Sequence, residues 1–146
     1  MLTKNTLSQF GIGGWGLGGF AKSDPNNDDE KQIEAVRYTL SKGINFVPLN
    51  YWNSEGKSVE LISKAIKKSG LTRDKLFYIQ VIYDYNNPTL KDVQAELEKC
   101  LEKFGTNYID SLEFSLTAIA KYGFDNIVKL VNNWLNNKYR LVKSGL

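Results

Sequence analysis

The chain alternates short apolar runs with longer amphipathic stretches, and this alternation limits the folds open to it. The runs of strand length are "FGIGGWGLGG", "INFVPLN", "KLFYIQVIY" and "YIDSLEFSL". The stretches that follow them have helical spacing: "DDEKQIEAVRYTLSKG", "SEGKSVELISKAIKKSG", "TLKDVQAELEKCLEKFG" and "FDNIVKLVNNWLNN". Strands that are each followed by a helix predict a parallel sheet with right-handed crossovers, which is an α/β fold. The closing "YRLVKSGL" is predicted to begin a fifth strand.

Length and composition predict one globular domain that covers residues 1–146. With 42% hydrophobic and 24% charged residues, the composition is that of a soluble protein, and no apolar run is long enough to cross a bilayer. No signal peptide is visible after Met1, so we expect a cytoplasmic protein without a membrane partner. Cys100 lies at helical spacing among apolar residues, which predicts a buried and unreactive thiol.

Charge and ligand chemistry argue against two classes of function. The net charge is +3, from 19 basic and 16 acidic residues that are spread along the chain, so we expect no nucleic acid partner. The chain contains no histidine and one cysteine. A transition-metal site is therefore not expected, because these side chains are its usual ligands.

Several segments together resemble a known family. They are "GIGGWGLGG", "DDEKQIEAVRYTLSKGINF", "SEGKSVELISKAIK", "DKLFYIQV", "AELEKCLEKFGTNYID" and "LVNNWLNNKYRLVKSGL". In order and spacing they look like the N-terminal half of the aldo-keto reductase superfamily. The resemblance implies half of a TIM-type (β/α)8 barrel, in an enzyme family that moves a hydride from NADPH to a carbonyl. It places the site at the C-terminal ends of the strands.

The same resemblance assigns four catalytic positions, and this chain departs from the family at each of them. Pro48 stands where the family has an aspartate, and Asn53 stands where it has the tyrosine that donates the proton. Val81 replaces a lysine and Ser115 replaces a histidine. Carbonyl reduction needs a proton donor whose pKa a nearby cation lowers. We therefore expect a catalytically degenerate protein without conventional NADPH-dependent reduction.

The cofactor contacts implied by the resemblance are incomplete in this chain. Gly13, Gly14 and Trp15 match contacts of the family's first loop, although we favour the explanation that the glycines serve a tight turn and the tryptophan serves packing. The family's serine–asparagine pair, which holds the nicotinamide, falls near Gly145 and Leu146, and its phosphate-binding loops come later. No cofactor is expected for this chain alone, and NADP is suggested by resemblance only.

An enzyme with a rebuilt site is the first alternative. Period-two alternation, anchored on the positions that the resemblance implies face inward, puts Glu113 on the inner face of the sheet. There it is either an acid or base with a raised pKa, or a solvated or interface-paired carboxylate. Tyr51 and Tyr83 follow strands and are candidates for a relocated acid. Polar and aromatic groups at strand ends also suit a small-molecule ligand, or an ordinary loop surface.

A binding or assembly module is the second alternative. Half a barrel leaves two strand edges unpaired and its inner face uncovered. A homodimer of half barrels would cover them, as would a second half-barrel segment in a longer parent chain. Strand exchange through "YRLVKSGL" is a third solution.

Overall fold

A computed structural model describes residues 7–137 of the chain. In chain order the elements are α1 (Asp29–Ser41), β1 (Phe46–Pro48), a 3-10 turn (Asn53–Gly56), α2 (Lys57–Ser69), a second 3-10 turn (Arg73–Lys75), β2 (Phe77–Ile82), α3 (Leu90–Phe104), β3 (Ser111–Phe114), α4 (Leu116–Tyr122) and α5 (Phe124–Asn137). The strands form one sheet in the order β1-β2-β3. The chain divides into two compact units, Met1–Tyr78 and Ile79–Leu146, so that β2 contributes residues to both.

The helices begin and end where local chemistry predicts. At the start of α1, the Asp28 side chain accepts a hydrogen bond from the Lys31 amide at 3.0 Å. Thr89 and Asp92 form a capping box at the start of α3. Gly70 and Gly105 end α2 and α3 with φ of 70° and 61°, conformations that favour glycine. No helix in the described part of the chain has the length and apolarity needed to span a membrane.

The first unit contains α1, α2 and β1, and its core includes the buried face of that strand. Val47 and Leu49 alternate along the chain here and are fully buried. On the opposite face, the rings of Phe46 and Phe77 stack at 5.4 Å and stay half-buried. The Phe77 amide donates to the Asn45 carbonyl at 2.8 Å, which joins the start of β2 to the β1 segment. This second face of the sheet is therefore apolar and partly open.

The second unit pairs β2 with β3 in parallel register, with Ile79 opposite Ser111 and Val81 opposite Glu113. The buried face of α3 belongs to the same unit and consists of Val93, Glu96, Leu97, Cys100 and Leu101. The predicted burial of Cys100 is confirmed. Helical spacing thus predicted the burial of this thiol, although it did not reveal Glu96 on the same face.

The structure differs from the predicted elements at the glycine-rich segment. The predicted first strand is reduced to one parallel bridge between Gly11 and Phe46, where the Ile12 amide donates to the Phe46 carbonyl at 2.9 Å. Glycines have no side chains with which to stabilise a strand, and Gly18 and Gly19 adopt φ of 78° and 134°, which extended strands do not allow. The prediction of a regular strand here was wrong.

Two helix predictions also need correction, and one strand prediction falls beyond the described part of the chain. The helix predicted from Ser54 starts at Lys57, because Ser54 and Glu55 are left-handed. The sequence interpretation missed α4, a helix of seven residues that follows β3 directly. The predicted fifth strand lies outside the described residues.

Candidate functional site

In the first unit, β1 ends at Pro48, the position that the resemblance assigns to an aspartate. Pro48 is half-buried and has neither a charge nor a side-chain hydrogen-bonding group. It lies close to the backbone of Gly14, since a Cβ built on Gly14 would come within 3.6 Å of the Pro48 Cγ. Pro48 therefore contributes packing at the end of the strand and no proton-transfer chemistry.

Asn53 follows in the same unit, where the resemblance places the proton-donating tyrosine. Its side chain is 2% exposed, and its Oδ1 atom has no hydrogen-bond partner among the described residues. An unpaired buried acceptor costs free energy, so this position is energetically unfavourable as it stands. The amide cannot release a proton at neutral pH, and it therefore cannot replace the tyrosine as an acid.

The glycine-rich loop lies against this segment. The Ser58 hydroxyl donates to the Gly14 carbonyl at 2.8 Å, while a Cβ on Gly13 would meet no atom within 4 Å. Trp15 is 46% exposed and packs edge to face on Trp52, with ring centroids 4.8 Å apart. Together Gly13 and the outer edge of Trp15 form an accessible apolar surface.

Tyr51, a candidate relocated acid, is half-buried beside Gly56. A Cβ on Gly56 would lie 2.7 Å from the Tyr51 Cζ, so the ring covers that glycine closely. This contact gives the ring a packing role. A role for its hydroxyl as a relocated acid stays a prediction.

In the second unit, Val81 and Ser115 occupy the positions that the resemblance assigns to lysine and histidine. Val81 is half-buried in β2. The Ser115 hydroxyl accepts from the Ala118 amide at 3.1 Å, which makes Ser115 the N-cap of α4. Glu113, the candidate acid or base, is exposed. The solvated interpretation of Glu113 fits this exposure better than an enclosed site does.

Tyr83 and Tyr85 stack on each other after β2, with ring centroids 5.3 Å apart. Between them in sequence, Asp84 accepts a hydrogen bond from the Thr117 hydroxyl at 2.6 Å. The Lys121 ammonium donates to the Asp84 carbonyl at 2.5 Å and to the Asn87 carbonyl at 3.1 Å. Lys121 therefore brings a cation close to the loop after β2, which the sequence interpretation did not identify.

Sequence reasoning also missed Glu96, a carboxylate that is 8% exposed. It accepts hydrogen bonds from Gln80 Nε2 and from Asn87 Nδ2, both at 2.8 Å. The Tyr122 hydroxyl donates to the Asn87 carbonyl at 2.5 Å, and burial is the main cause that raises the pKa of Tyr122. The signal was available, because Glu96 lies three residues after Val93 and so on the apolar face of α3.

Among residues 7–137, no group of three or more carboxylate or thiol side chains is placed to hold a metal ion. At the strand ends the described residues offer a cation at Lys121 and carboxylates at Asp84 and Glu96. They also offer hydrogen bonding by amides and hydroxyls, together with exposed aromatic surface. Such groups bind ligands and position loops.

Comparisons with known proteins place this arrangement in context. The family model for the aldo/keto reductase family matches residues 9–121. Aldo-keto reductase YhdN of Bacillus subtilis (strain 168) is 28% identical over an alignment 109 residues long, and the alignment covers 70% of this chain and 32% of YhdN. The chain therefore spans about a third of the length of this curated relative.

Two solved structures show the same fold. The thermostable aldo-keto reductase Tm1743 aligns with a TM-score of 0.70 and 24% identity, over 86% of this chain and 44% of that one. An aldo-keto reductase from Klebsiella pneumoniae, solved with NADPH, aligns with a TM-score of 0.67 and 17% identity, over 92% of this chain and 44% of that one. The parallel α/β architecture is thus that of half of a TIM-type barrel. Since the family model covers most of the chain, the resemblance seen in the motifs is confirmed, and the chain belongs to the aldo/keto reductase family.

Proposed function

We propose that this chain is a catalytically degenerate aldo-keto reductase scaffold that lacks conventional NADPH-dependent carbonyl reduction. One observation carries the proposal: none of the four positions that the resemblance assigns to catalysis holds an ionisable side chain. They are occupied by Pro48, Asn53, Val81 and Ser115. Pro48 and Val81 are apolar and suit packing, and Ser115 caps a helix.

The chemistry of the reaction supports this proposal. Hydride transfer to a carbonyl leaves an alkoxide that must receive a proton, and a donor with a lowered pKa supplies it. Asn53 cannot donate that proton, and Val81 carries no charge that would activate another donor. Once the acid is lost, a buried lysine–aspartate pair is only a desolvation cost, so apolar replacements such as Pro48 and Val81 are neutral or stabilising.

The described residues fit NADP poorly. In the first loop, the Gly14 carbonyl already accepts a hydrogen bond from Ser58. Lys57, a nearby cation at the start of α2, is paired with Asp29 at 2.5 Å. Trp15 offers an exposed ring edge. A ring edge alone does not supply the cationic or helix-terminal donors that phosphates require.

A turnover assay tests the proposal. Purified protein is incubated with NADPH and a panel of aldehydes, and nicotinamide absorbance is followed over time, with an active full-length family member as the positive control. We expect no loss of absorbance above the protein-free rate. An enzyme-like rate would overturn the proposal. Glu113→Gln, Tyr51→Phe and Tyr83→Phe variants would then identify which rebuilt site carries the activity.

The open face of the sheet favours assembly as a second candidate function. Phe46 and Phe77 form a half-buried apolar pair on that face in the first unit. Apolar surface of this kind is normally covered by other protein. We propose that a second half barrel, in a homodimer or in a longer parent chain, covers it. Size-exclusion chromatography with light scattering tests the homodimer: a stable monomer at micromolar concentration would exclude it for this chain.

A further inference from the structure

The turn at Asn53–Gly56 combines backbone strain with buried polar groups. Ser54 has φ 50° and ψ 39°, and Glu55 has φ 57° and ψ 35°. Gly56 follows with φ 88°. Residues other than glycine enter this left-handed region at an energetic cost, and they rarely do so in succession. Such a turn persists only where its surroundings hold it in place.

Both strained residues contact the same loop. The Ser54 hydroxyl donates to the Phe20 carbonyl at 3.4 Å, and the Ser23 amide donates to the Glu55 Oε2 atom at 3.1 Å. We call residues 13–23 the aromatic loop, because Trp15 and Phe20 lie within it. The side chains that stabilise the strained backbone are thus the ones that hold the aromatic loop.

The aromatic loop is otherwise lightly held on its outer side. Trp15 and Phe20 are 46% and 63% exposed, although Trp15 also packs on Trp52, directly before the turn. Further anchors come from α1, where Gln32 Oε1 accepts from the Gly18 amide at 2.8 Å, and from α2, where the Ser58 hydroxyl donates to the Gly14 carbonyl at 2.8 Å. A loop with large side chains exposed to solvent belongs to the less stable part of a structure.

We propose that the Asn53–Gly56 turn is a strained clamp, and that the aromatic loop is a lid that it holds closed. When the lid opens, the hydrogen bonds that join Ser54 and Glu55 to the loop break, and the turn is then able to leave the left-handed region. Opening also lets the unpaired Asn53 Oδ1 atom reach water. The relief of backbone strain partly offsets the free energy that is lost when these hydrogen bonds break. The free energy of opening is therefore smaller than the hydrogen bonds alone would give. This inference does not depend on the proposed function.

Hydrogen exchange measured by mass spectrometry tests the clamp. Ser54→Ala removes the hydrogen bond to Phe20 and keeps the strain. At 3.4 Å this bond is long and weak, so we expect amides of the aromatic loop to exchange about twofold faster. Ser54→Gly removes the same bond and also the strain. Its loop should exchange about fivefold more slowly than that of Ser54→Ala, since glycine tolerates positive φ.

Glu55 provides a second pair of variants on an exposed side chain, where loss of folding is not expected. Glu55→Ala and Glu55→Gly should repeat the same order of exchange rates. Glu34→Ala, which breaks an exposed ion pair on α1, is the matched control and should leave the loop unchanged. If the alanine and glycine variants exchanged at equal rates, backbone strain would not contribute to opening. If both alanine variants exchanged at the wild-type rate, the turn would not hold the loop closed, and the proposal would be wrong.

Discussion

Replacing Glu96 by glutamine tests whether the buried carboxylate stabilises the loop after β2. The carboxylate accepts from two amide groups, those of Gln80 and Asn87, each at 2.8 Å. A glutamine of the same shape has one oxygen and one NH₂ group. One of the two donors would keep an acceptor, while the other would face a second donor in a site that is almost fully buried.

The expected loss of stability follows from these contacts. A hydrogen bond to a charged group contributes about 1.5–3 kcal/mol, and the bond that survives becomes a weaker neutral one. Removing the buried charge also has a stabilising effect, because the desolvation of the carboxylate no longer opposes folding. The net loss of stability is therefore smaller than the loss from the hydrogen bonds alone. We expect Glu96→Gln to lower the free energy of unfolding by about 1–3 kcal/mol. Glu96→Ala leaves both amide donors without an acceptor, and we expect it to lower the free energy of unfolding by about 3–5 kcal/mol.

Urea denaturation followed by circular dichroism measures both losses. Glu102→Ala is the matched control, because Glu102 is an exposed glutamate on the same helix and its loss should change stability by less than about 0.5 kcal/mol. If Glu96→Gln were as stable as the wild type, the carboxylate would contribute nothing net to this network, and the hydrogen-bonding explanation would be wrong.

Three further predictions concern the turn, a helix cap and the acid stability of the fold. Gly56→Ala should destabilise by about 2–4 kcal/mol in urea, because its Cβ meets Tyr51 at positive φ; Gly70→Ala meets no atom and should cost only about 1 kcal/mol. An equal loss of stability in the two variants would contradict this steric explanation. Ser115→Ala should lose about 1 kcal/mol of stability as a helix cap, and Ser115→Asp should retain it by the same measurement. The hydrogen bond from Lys57 is the main cause that lowers the pKa of Asp29, so its contribution is present above the ordinary value of 3.8 and is lost as pH falls through the lowered pKa. Asp29→Asn should therefore flatten the acid side of the stability–pH profile, and an unchanged profile would contradict the assignment.

Helices α1, α2, α3 and α5 were predictable because their signals are local. The predicted segments ended at Gly70 and Gly105, the glycines that terminate α2 and α3, and helical spacing among apolar residues predicted the burial of Cys100. The β2 and β3 strands were predictable as apolar runs between these helices. The family resemblance was predictable because its segments occur in a fixed order over residues 9–121.

The remaining features depend on contacts between segments distant in sequence. Glu96 is paired through Gln80 and Asn87, which lie 16 and 9 residues away. The left-handed backbone at Ser54 and Glu55 is held by the aromatic loop, more than 30 residues earlier. No local propensity predicts either arrangement, because the energy that selects it comes from tertiary contacts.

The division at Tyr78 gives each compact unit its own intrinsic fluorophore. Trp15 and Trp52 belong to the first unit, whereas Trp134, at 2% exposure, belongs to the second. Replacing the first two by phenylalanine leaves emission that reports on Trp134 alone, and Trp134→Phe leaves emission from the other unit. Coincident melting of the two signals would mark a single cooperative domain, and separated transitions would mark two independently folding halves.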